Sequence, residues 1–287
     1  MGDYGQTQAE IPENMHGAPA AEEDVSVLVT GFGPFRTNPV NASFMIASSL
    51  PSALTLPPKG SSSTSSSTSG HAARQIRIHT HPAPIPVSYE TVRISIPTIL
   101  DDFARTHNGR RPDITIHIGI SPTRDYYSVE TLARRDQYCM SDIYGKTGYD
   151  DGEKVWKELG LPTVLRPGPA EEDPFPTSTT TAAPPKPLHR SHPSPADAHF
   201  LQTWKSFAPE GTDIRISEDA GRYLCEFIFY TSLSTALREG RDRSVIFFHV
   251  PGWCDEENVK VGTDVAVALV KTLVRCWVDE RDDAKKA

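Results

Sequence analysis

The chain has four cysteines and ten histidines, which are its candidates for thiol nucleophiles and imidazole acid–base groups. No two cysteines form a CxxC pair, which disfavours a zinc site. A disulfide framework is not expected in a chain this long with no export signal, so free thiols are expected. The cysteines lie far apart along the chain, at Cys139, Cys225, Cys254 and Cys276. Each thiol must therefore be judged by the element that carries it.

Cys225 lies in the stretch SEDAGRYLCEFIFY, which has a helical pattern. A free cysteine among aromatic and aliphatic residues is typical of core packing, whereas a nucleophile needs a nearby imidazole and partial exposure. If Ser217 caps the helix, Cys225 lies two turns inside it. If the chain turns at Ala220-Gly221, Cys225 falls in the first turn, where the helix dipole favours a thiolate. Both alternatives stay open on these residues.

Three histidines lie on predicted strands. His249 ends an apolar strand just before a Pro-Gly turn, which favours its accessibility. His117 closes another strand but precedes Ile118 on the buried face, and His79 is placed on an edge strand. The other seven, in tails, inserts and loops, are assigned to the surface.

Strand and helix signals alternate along the chain. Continuous or alternating apolar segments such as VSVLVTGFG, QIRIHTH, DITIHIG and RSVIFFHV predict strands, and amphipathic segments between them predict helices. This order predicts an α/β fold, a three-layer α/β/α sandwich with a mostly parallel sheet. Such sheets bind ligands beyond the carboxyl ends of their strands, which here carry TGFGPF, HIGIS and HVPGW.

Composition excludes several classes of protein. The formal charge of −8 disfavours nucleic-acid binding, and no apolar run is long enough to span a membrane. The acidic first 24 residues do not resemble a signal peptide, so a cytoplasmic location is expected. We predict a disordered tail at 1–24 and a single domain at 25–287. Ser-rich and Pro-rich inserts near 57–73 and 167–196 are expected to be mobile.

Two further features can be interpreted as structural or as functional. The turn GFGPF lacks the third glycine of a dinucleotide loop and the GK[ST] of a phosphate loop. Its Phe32 and Phe35 either close the core or form an apolar wall for a small ligand. Glu130 is expected on an exposed helix or loop, where Arg134 and Arg135 would pair with it.

Taken in order, these segments resemble the pyroglutamyl peptidase type I family of cysteine peptidases. VLVTGFGPF…NASF is similar to its opening strand and turn, and PDITIHIG to its Pro-Asp-x-x-x-His-x-Gly strand. VETLA, SEDAGRYLC and FFHVP resemble the segments that carry its catalytic residues, which map to Glu130, Cys225 and His249. The departures are SPTR in place of an Ala-Gly-Gly-Arg-like turn, RRDQYCMSDIYG in place of an Asp-x-Arg-x-Pro-Asp-Asn stretch, and Glu226 in place of asparagine.

The resemblance implies a thiol peptidase that removes N-terminal pyroglutamate from peptides without a metal or other cofactor. In it, a Cys225 thiolate paired with His249 attacks the carbonyl, and Glu130 orients the imidazole. Phe32 and Phe35 would form apolar walls, and Ile120 would bind the lactam through its backbone. Family members are often homo-oligomers, although inserts of this size would obstruct such contacts. The alternative is a non-catalytic peptide-binding or regulatory homologue.

Overall fold

The structure, a computed structural model, describes residues 24–35, 38–58, 73–170 and 192–286. The chain up to residue 23, the Ser/Thr tract at 61–70 and most of the Pro-rich insert lie outside the described residues. The two ends of that insert pack against the domain. The Gly168 carbonyl accepts a 2.7 Å hydrogen bond from the backbone of Arg243, and Ala196 is buried in the core.

The strands form one central sheet and one small ribbon. In the described residues the central sheet has seven strands in the order β2-β3-β1-β4-β9-β5-β8, and β6 pairs with β7 apart from it. The strands are β1 (Val25–Gly31), β2 (Ala53–Leu56), β3 (Arg74–Thr80), β4 (Ile114–Ile120), β5 (Tyr127–Glu130), β6 (Ala133–Arg134), β7 (Val164–Leu165), β8 (Ile214–Ser217) and β9 (Val245–Val250). The four central strands β3, β1, β4 and β9 are parallel. β2 runs antiparallel to β3 and β5 runs antiparallel to β9, whereas β5 and β8 are parallel to each other.

Helices cover both faces of the sheet. They are α1 (Ala42–Ser49), α2 (Tyr89–Thr106), α3 (Lys154–Glu158), α4 (Ala198–Phe207), α5 (Leu224–Arg238), α6 (Glu256–Leu273) and α7 (Glu280–Lys286), with π-helical turns at Tyr149–Glu153 and Val274–Asp279. Helices α1, α4 and α6 share one apolar cluster with the sheet, and α2 and α5 share the other. The predicted three-layer α/β/α sandwich is therefore confirmed. No helix among the described residues is both long and apolar enough to cross a membrane.

The sequence explains why these elements form. In β1, Val25, Val27 and Val29 face one apolar cluster and Leu28 faces the other, as expected of a strand buried on both faces. Helix α2 begins after Ser88, whose hydroxyl accepts a hydrogen bond from a first-turn N–H, and continues through Pro97.

Two strands differ from the sequence prediction. β3, expected at an edge, is covered by the short antiparallel β2. β5, which ends at Glu130, lies inside the sheet between β9 and β8, where an exposed helix or loop was expected. The sequence did not predict β2 or β5 as strands. Each has four residues, too few for an alternating apolar pattern to stand out from the neighbouring turns.

Candidate active site

A cavity of about 260 Å³ lies beyond the carboxyl ends of β1, β4 and β9, where the sequence placed a ligand site. The residues that line it include Phe32, Phe35, Ile120, Cys225 and His249. Five of the six predicted site residues thus surround one space. The sixth, Glu130, lies behind His249.

The pairing of β5 with β9 places the carboxylate against the imidazole. Ser128 is opposite His249 and Glu130 is opposite Phe247, so Glu130 is a diagonal neighbour of His249 across the two strands. Its Oε1 lies 2.7 Å from Nδ1 of His249, and both side chains are buried. Because a carboxylate only accepts hydrogen bonds, Nδ1 carries the proton and Nε2 keeps its lone pair.

The arginine that pairs with Glu130 is not one of those expected. Nη1 of Arg124 donates to Oε1 of Glu130 at 2.9 Å and to the Ser128 hydroxyl at 2.8 Å. Arg134 instead pairs with Glu226, and Arg135 pairs with Asp136. The expected Glu130–Arg134 and Glu130–Arg135 pairs were wrong because β5 turns the carboxylate into the sheet, not toward the downstream loop.

These contacts set the charge of the pair. Burial alone would raise the pKa of the Glu130 carboxyl, but the hydrogen bond and charge of His249, with hydrogen bonds from Ser217 and Arg124, outweigh it and lower that pKa to about 2. Burial lowers the pKa of His249, and the Glu130 carboxylate opposes that shift only in part. A neutral imidazole beside an ionised carboxylate is therefore the form favoured near neutral pH.

The position of Cys225 in its helix settles the alternatives left open by the sequence. Helix α5 begins at Leu224 after a turn in which Gly221 has a φ of +79°, so Cys225 lies in the first helical turn. Its side chain is half-buried. Its sulfur lies 3.0 Å from where a Cβ on Gly119 would stand, and Gly119 is the register partner of His249. A glycine in β4 thus leaves room for the thiol beside the imidazole strand.

The thiol itself is protonated in this environment. Burial, reinforced by the nearby Glu130 charge, raises the pKa of Cys225 to about 12, against the opposing influence of Arg124 and of its own backbone N–H. Within the described residues no hydrogen bond joins the thiol to His249, although both line the cavity. The favourable helix dipole at this position does not overcome the cost of burying a thiolate.

A network of charges holds the turn before Cys225. Nη2 of Arg124 donates to the Asp219 carbonyl at 2.9 Å. Glu226, wholly buried, accepts from Arg134 at 3.1 Å and from Arg222 at 2.6 Å. The glutamate that stands where the resembling family has asparagine therefore has two arginine partners that compensate its burial.

The opening turn supplies the apolar wall. The backbone N–H of Phe32 donates to the Ser43 hydroxyl at 3.0 Å, which fixes the turn to helix α1. A Cβ on Gly31 would stand 2.7 Å from the backbone of Phe44, so only glycine permits this approach. The ring of Phe35 packs on Tyr223 with centroids 5.3 Å apart.

Among the cavity-lining residues that the sequence interpretation did not assign to the site, two contact predicted site residues directly. Arg124 contacts both Glu130 and the turn before the thiol, and its signal was its place in the loop after the carboxyl end of β4. Tyr223, directly before helix α5, closes the cavity against Phe35 and carried no comparable signal. His117, the competing histidine, is buried within β4 and contacts the Thr30 hydroxyl at 2.8 Å through Nδ1.

A thiol and an imidazole on the wall of one cavity, with a carboxylate bound to the imidazole, are the groups that nucleophile–imidazole–acid sites contain. Comparison with known proteins narrows that class. No family model matches the chain. The chain is 28% identical over 230 residues to pyroglutamyl-peptidase 1 of Mus musculus, covering 79% of this chain and 78% of that protein. It is 25% identical over 238 residues to pyrrolidone-carboxylate peptidase of Pyrococcus furiosus, covering 83% and 86%.

Solved structures show the same fold. Pyrrolidone carboxyl peptidase from Thermococcus litoralis superposes with a TM-score of 0.57 at 18% identity, covering 91% of this chain and 96% of that one. The enzyme from Pyrococcus furiosus superposes with a TM-score of 0.56 at 21% identity, covering 89% and 99%. The resemblance to the pyroglutamyl peptidase type I family is thereby confirmed, and these relatives are peptidases, a class of hydrolases.

Proposed function

We propose that this chain is a cysteine-type omega peptidase that removes N-terminal pyroglutamate from peptides, with Cys225, His249 and Glu130 as its catalytic residues. The observation that carries the proposal is that Cys225 and His249, from separate segments, line one cavity while the Glu130 carboxylate contacts His249 from behind it. The relatives named for this activity support it.

The proposed reaction starts from a neutral site. The Cys225 sulfur attacks the carbonyl carbon of pyroglutamate while its proton passes to Nε2 of His249, and the carbonyl π electrons move to oxygen. The proposal has proton transfer accompany the attack, because burial raises the pKa of Cys225 to about 12. Glu130 holds the imidazole through Nδ1 and stabilises its positive charge after the transfer.

Collapse of the intermediate completes the reaction. The protonated Nε2 of His249 gives its proton to the departing amine as the C–N bond breaks, which leaves a thioester on Cys225. Water then attacks the thioester with His249 as the base, and pyroglutamate leaves as the thiol regains its proton. Backbone N–H groups in the first turn of helix α5 would stabilise the oxyanion, because these groups lack partners within the helix.

The cavity suits a neutral ring. Phe32, Val87 and Leu224 are buried apolar residues on its wall, and Phe35 and Tyr223 add aromatic surface. Placing an open-chain glutamate carboxylate against such a wall would cost far more than placing an uncharged lactam. Backbone recognition of the lactam by Ile120, which lines the cavity at the end of β4, is part of the proposal.

The deciding experiment is hydrolysis of a pyroglutamyl-coumarin amide by the purified full chain. We expect turnover that is lost in Cys225→Ala and kept in the matched control Cys254→Ala, which removes another partly buried thiol outside the cavity wall. A glutamyl-coumarin amide should not be cleaved. Equal turnover in Cys225→Ala would contradict the assignment of the nucleophile.

One observation favours a second candidate function, that of a non-catalytic peptide-binding homologue. In the described part of the chain no hydrogen bond joins the Cys225 thiol to His249. On that alternative, the wild-type chain binds a pyroglutamyl peptide without cleaving it, and Cys225→Ala binds with the same affinity. Equilibrium binding of a fluorescent pyroglutamyl peptide, measured beside the hydrolysis assay, distinguishes the two functions.

A further inference from the structure

A second cluster of reactive side chains lies away from the cavity, between helix α4 and the C-terminal helices. His199, Cys276 and Glu280 each offer one donor atom, and these atoms all lie within 4.8 Å of one another. None of the three residues lines the candidate active site. Imidazole nitrogen, thiolate sulfur and carboxylate oxygen are the ligand types that zinc takes in proteins.

A fourth potential ligand, a second imidazole, adjoins the cluster. Nε2 of His192 lies 3.7 Å from Oε2 of Glu280, and Nε2 of His199 lies 2.8 Å from its Oε1, so one carboxylate faces two imidazoles. The His192 side chain is only 4% exposed, although the sequence assigned it to the surface. In a tetrahedral zinc site neighbouring donors stand about 3.3–3.8 Å apart, which small side-chain movements would reach from these separations.

The surrounding elements hold these side chains in place. His199 stands in the first turn of helix α4, which Asp197 caps through a 3.0 Å bond to Phe200 N–H. Cys276 lies in the π-helical turn Val274–Asp279, a rare geometry that is often found at functional sites. Trp277 Nε1 donates to the Ser194 carbonyl at 3.0 Å and so ties the His192 segment to the same turn.

Two acidic residues close to Glu280 in the sequence pair with arginines. Asp279 pairs with Arg74 and Arg275, and Asp282 pairs with Arg74, so arginines compensate both of these carboxylates. The Glu280 carboxylate contacts two imidazoles. A carboxylate and a thiolate with two neutral imidazoles would balance the charge of a divalent cation.

We propose that His192, His199, Cys276 and Glu280 bind one zinc-type divalent cation, which would clamp the end of the Pro-rich insert to the C-terminal helices. The absence of a CxxC pair conceals such a site, because its ligands come from two distant segments of the chain. The site is structural, so it goes beyond the proposed hydrolysis and does not depend on it.

The test uses demetallated full-length protein in a Cys225→Ser background, so that the cavity thiol cannot contribute. Titration with Co²⁺ should give one equivalent of binding and a near-ultraviolet thiolate-to-cobalt charge-transfer band. That band should vanish in Cys276→Ser and persist in Cys139→Ser, which removes an exposed thiol outside the cluster. Zn²⁺ should displace Co²⁺ and raise Tm by about 5 °C at saturation.

His199→Gln provides a second test in case Cys276→Ser, at a buried position, does not fold. The His199 side chain is 50% exposed, so its replacement should not disturb folding. We expect this variant to bind Zn²⁺ roughly 100-fold more weakly while its Tm without metal stays unchanged. No charge-transfer band, a band that survives Cys276→Ser, or equal Zn²⁺ affinity in His199→Gln would each overturn the proposal.

Discussion

His249 and Cys225 face the same cavity but are held by different kinds of structure. His249 and Glu130 are fixed by the register of two strands inside the sheet, and both side chains are at least 95% buried. Cys225 follows a turn in which Glu218 and Asp219 are exposed. That turn is held by Gly221, by hydrogen bonds within the turn and by a hydrogen bond from Arg124. We therefore expect substitutions on the imidazole side to affect chemistry most, and substitutions on the thiol side to affect positioning.

The largest effect is expected from Glu130→Gln. The amide keeps the volume but cannot hold the imidazole in its Nδ1–H form or stabilise its charge, so kcat should fall roughly 10³–10⁴-fold with KM little changed. Steady-state kinetics on the pyroglutamyl-coumarin amide provide the measurement. The matched control is Ser128→Ala, which removes only a hydroxyl bound to the same Arg124 nitrogen and should cost less than about tenfold. Equal losses in both variants would show that Glu130 merely packs.

The pH dependence of kcat/KM tests the protonation states of His249 and Cys225 in the free enzyme. The pKa of His249 is lowered below 6.5, so kcat/KM should stay flat at neutral pH and fall about tenfold per unit once the pH drops below that pKa. Activity is lost at low pH because a protonated imidazole cannot accept the thiol proton. Since the pKa of Cys225 is about 12, no decline from thiol ionisation is expected up to pH 9. A bell-shaped profile that declines between pH 7 and 9 would instead indicate a preformed thiolate–imidazolium pair.

A smaller effect is expected from Gly221→Ala on the thiol side. Gly221 has a φ of +79° and a Cβ there would meet no atom within 4 Å, so the cost is conformational, about 1–2 kcal/mol, and not steric. We expect this strain to move the turn before Cys225 and to lower kcat/KM several-fold. Gly211→Ala is the matched control, with a φ of +78° and the same open space away from the cavity. Thermal unfolding should shift equally in both variants, and a kinetic defect shared by the control would contradict a local role for Gly221.

The same contrast shows what the sequence could and could not predict. Apolar runs that end in glycine, histidine or proline identified the central strands, and the rule for carboxyl strand ends placed Phe32, Ile120 and His249 around one space. The burial of Glu130 escaped detection, because a carboxylate in a four-residue strand contradicts the apolar pattern until Arg124 and His249 are seen beside it.

The position of Cys225 within its helix could not be predicted for a different reason. Helical periodicity gives the face of a residue but not the residue at which a helix begins. That start depends here on the left-handed conformation of Gly221 and on a backbone contact from Arg124, a residue distant in sequence. Register and turn geometry are long-range properties, so the family resemblance could group the three residues but local sequence patterns could not give their geometry.

The smallest effect is expected from Asp219→Asn, which tests whether charge or backbone geometry holds the thiol side. The Asp219 side chain is 75% exposed and lies 3.6 Å from Arg134, so this ion pair contributes little. Its Oδ1 accepts the Gly221 N–H at 3.1 Å, which an asparagine oxygen can also do, and Arg124 binds only the Asp219 carbonyl. We expect kcat/KM within about twofold of wild type. A loss approaching that of Gly221→Ala would mean that the charge of Asp219 acts on the site directly, and the turn would then serve as more than a backbone support for Cys225.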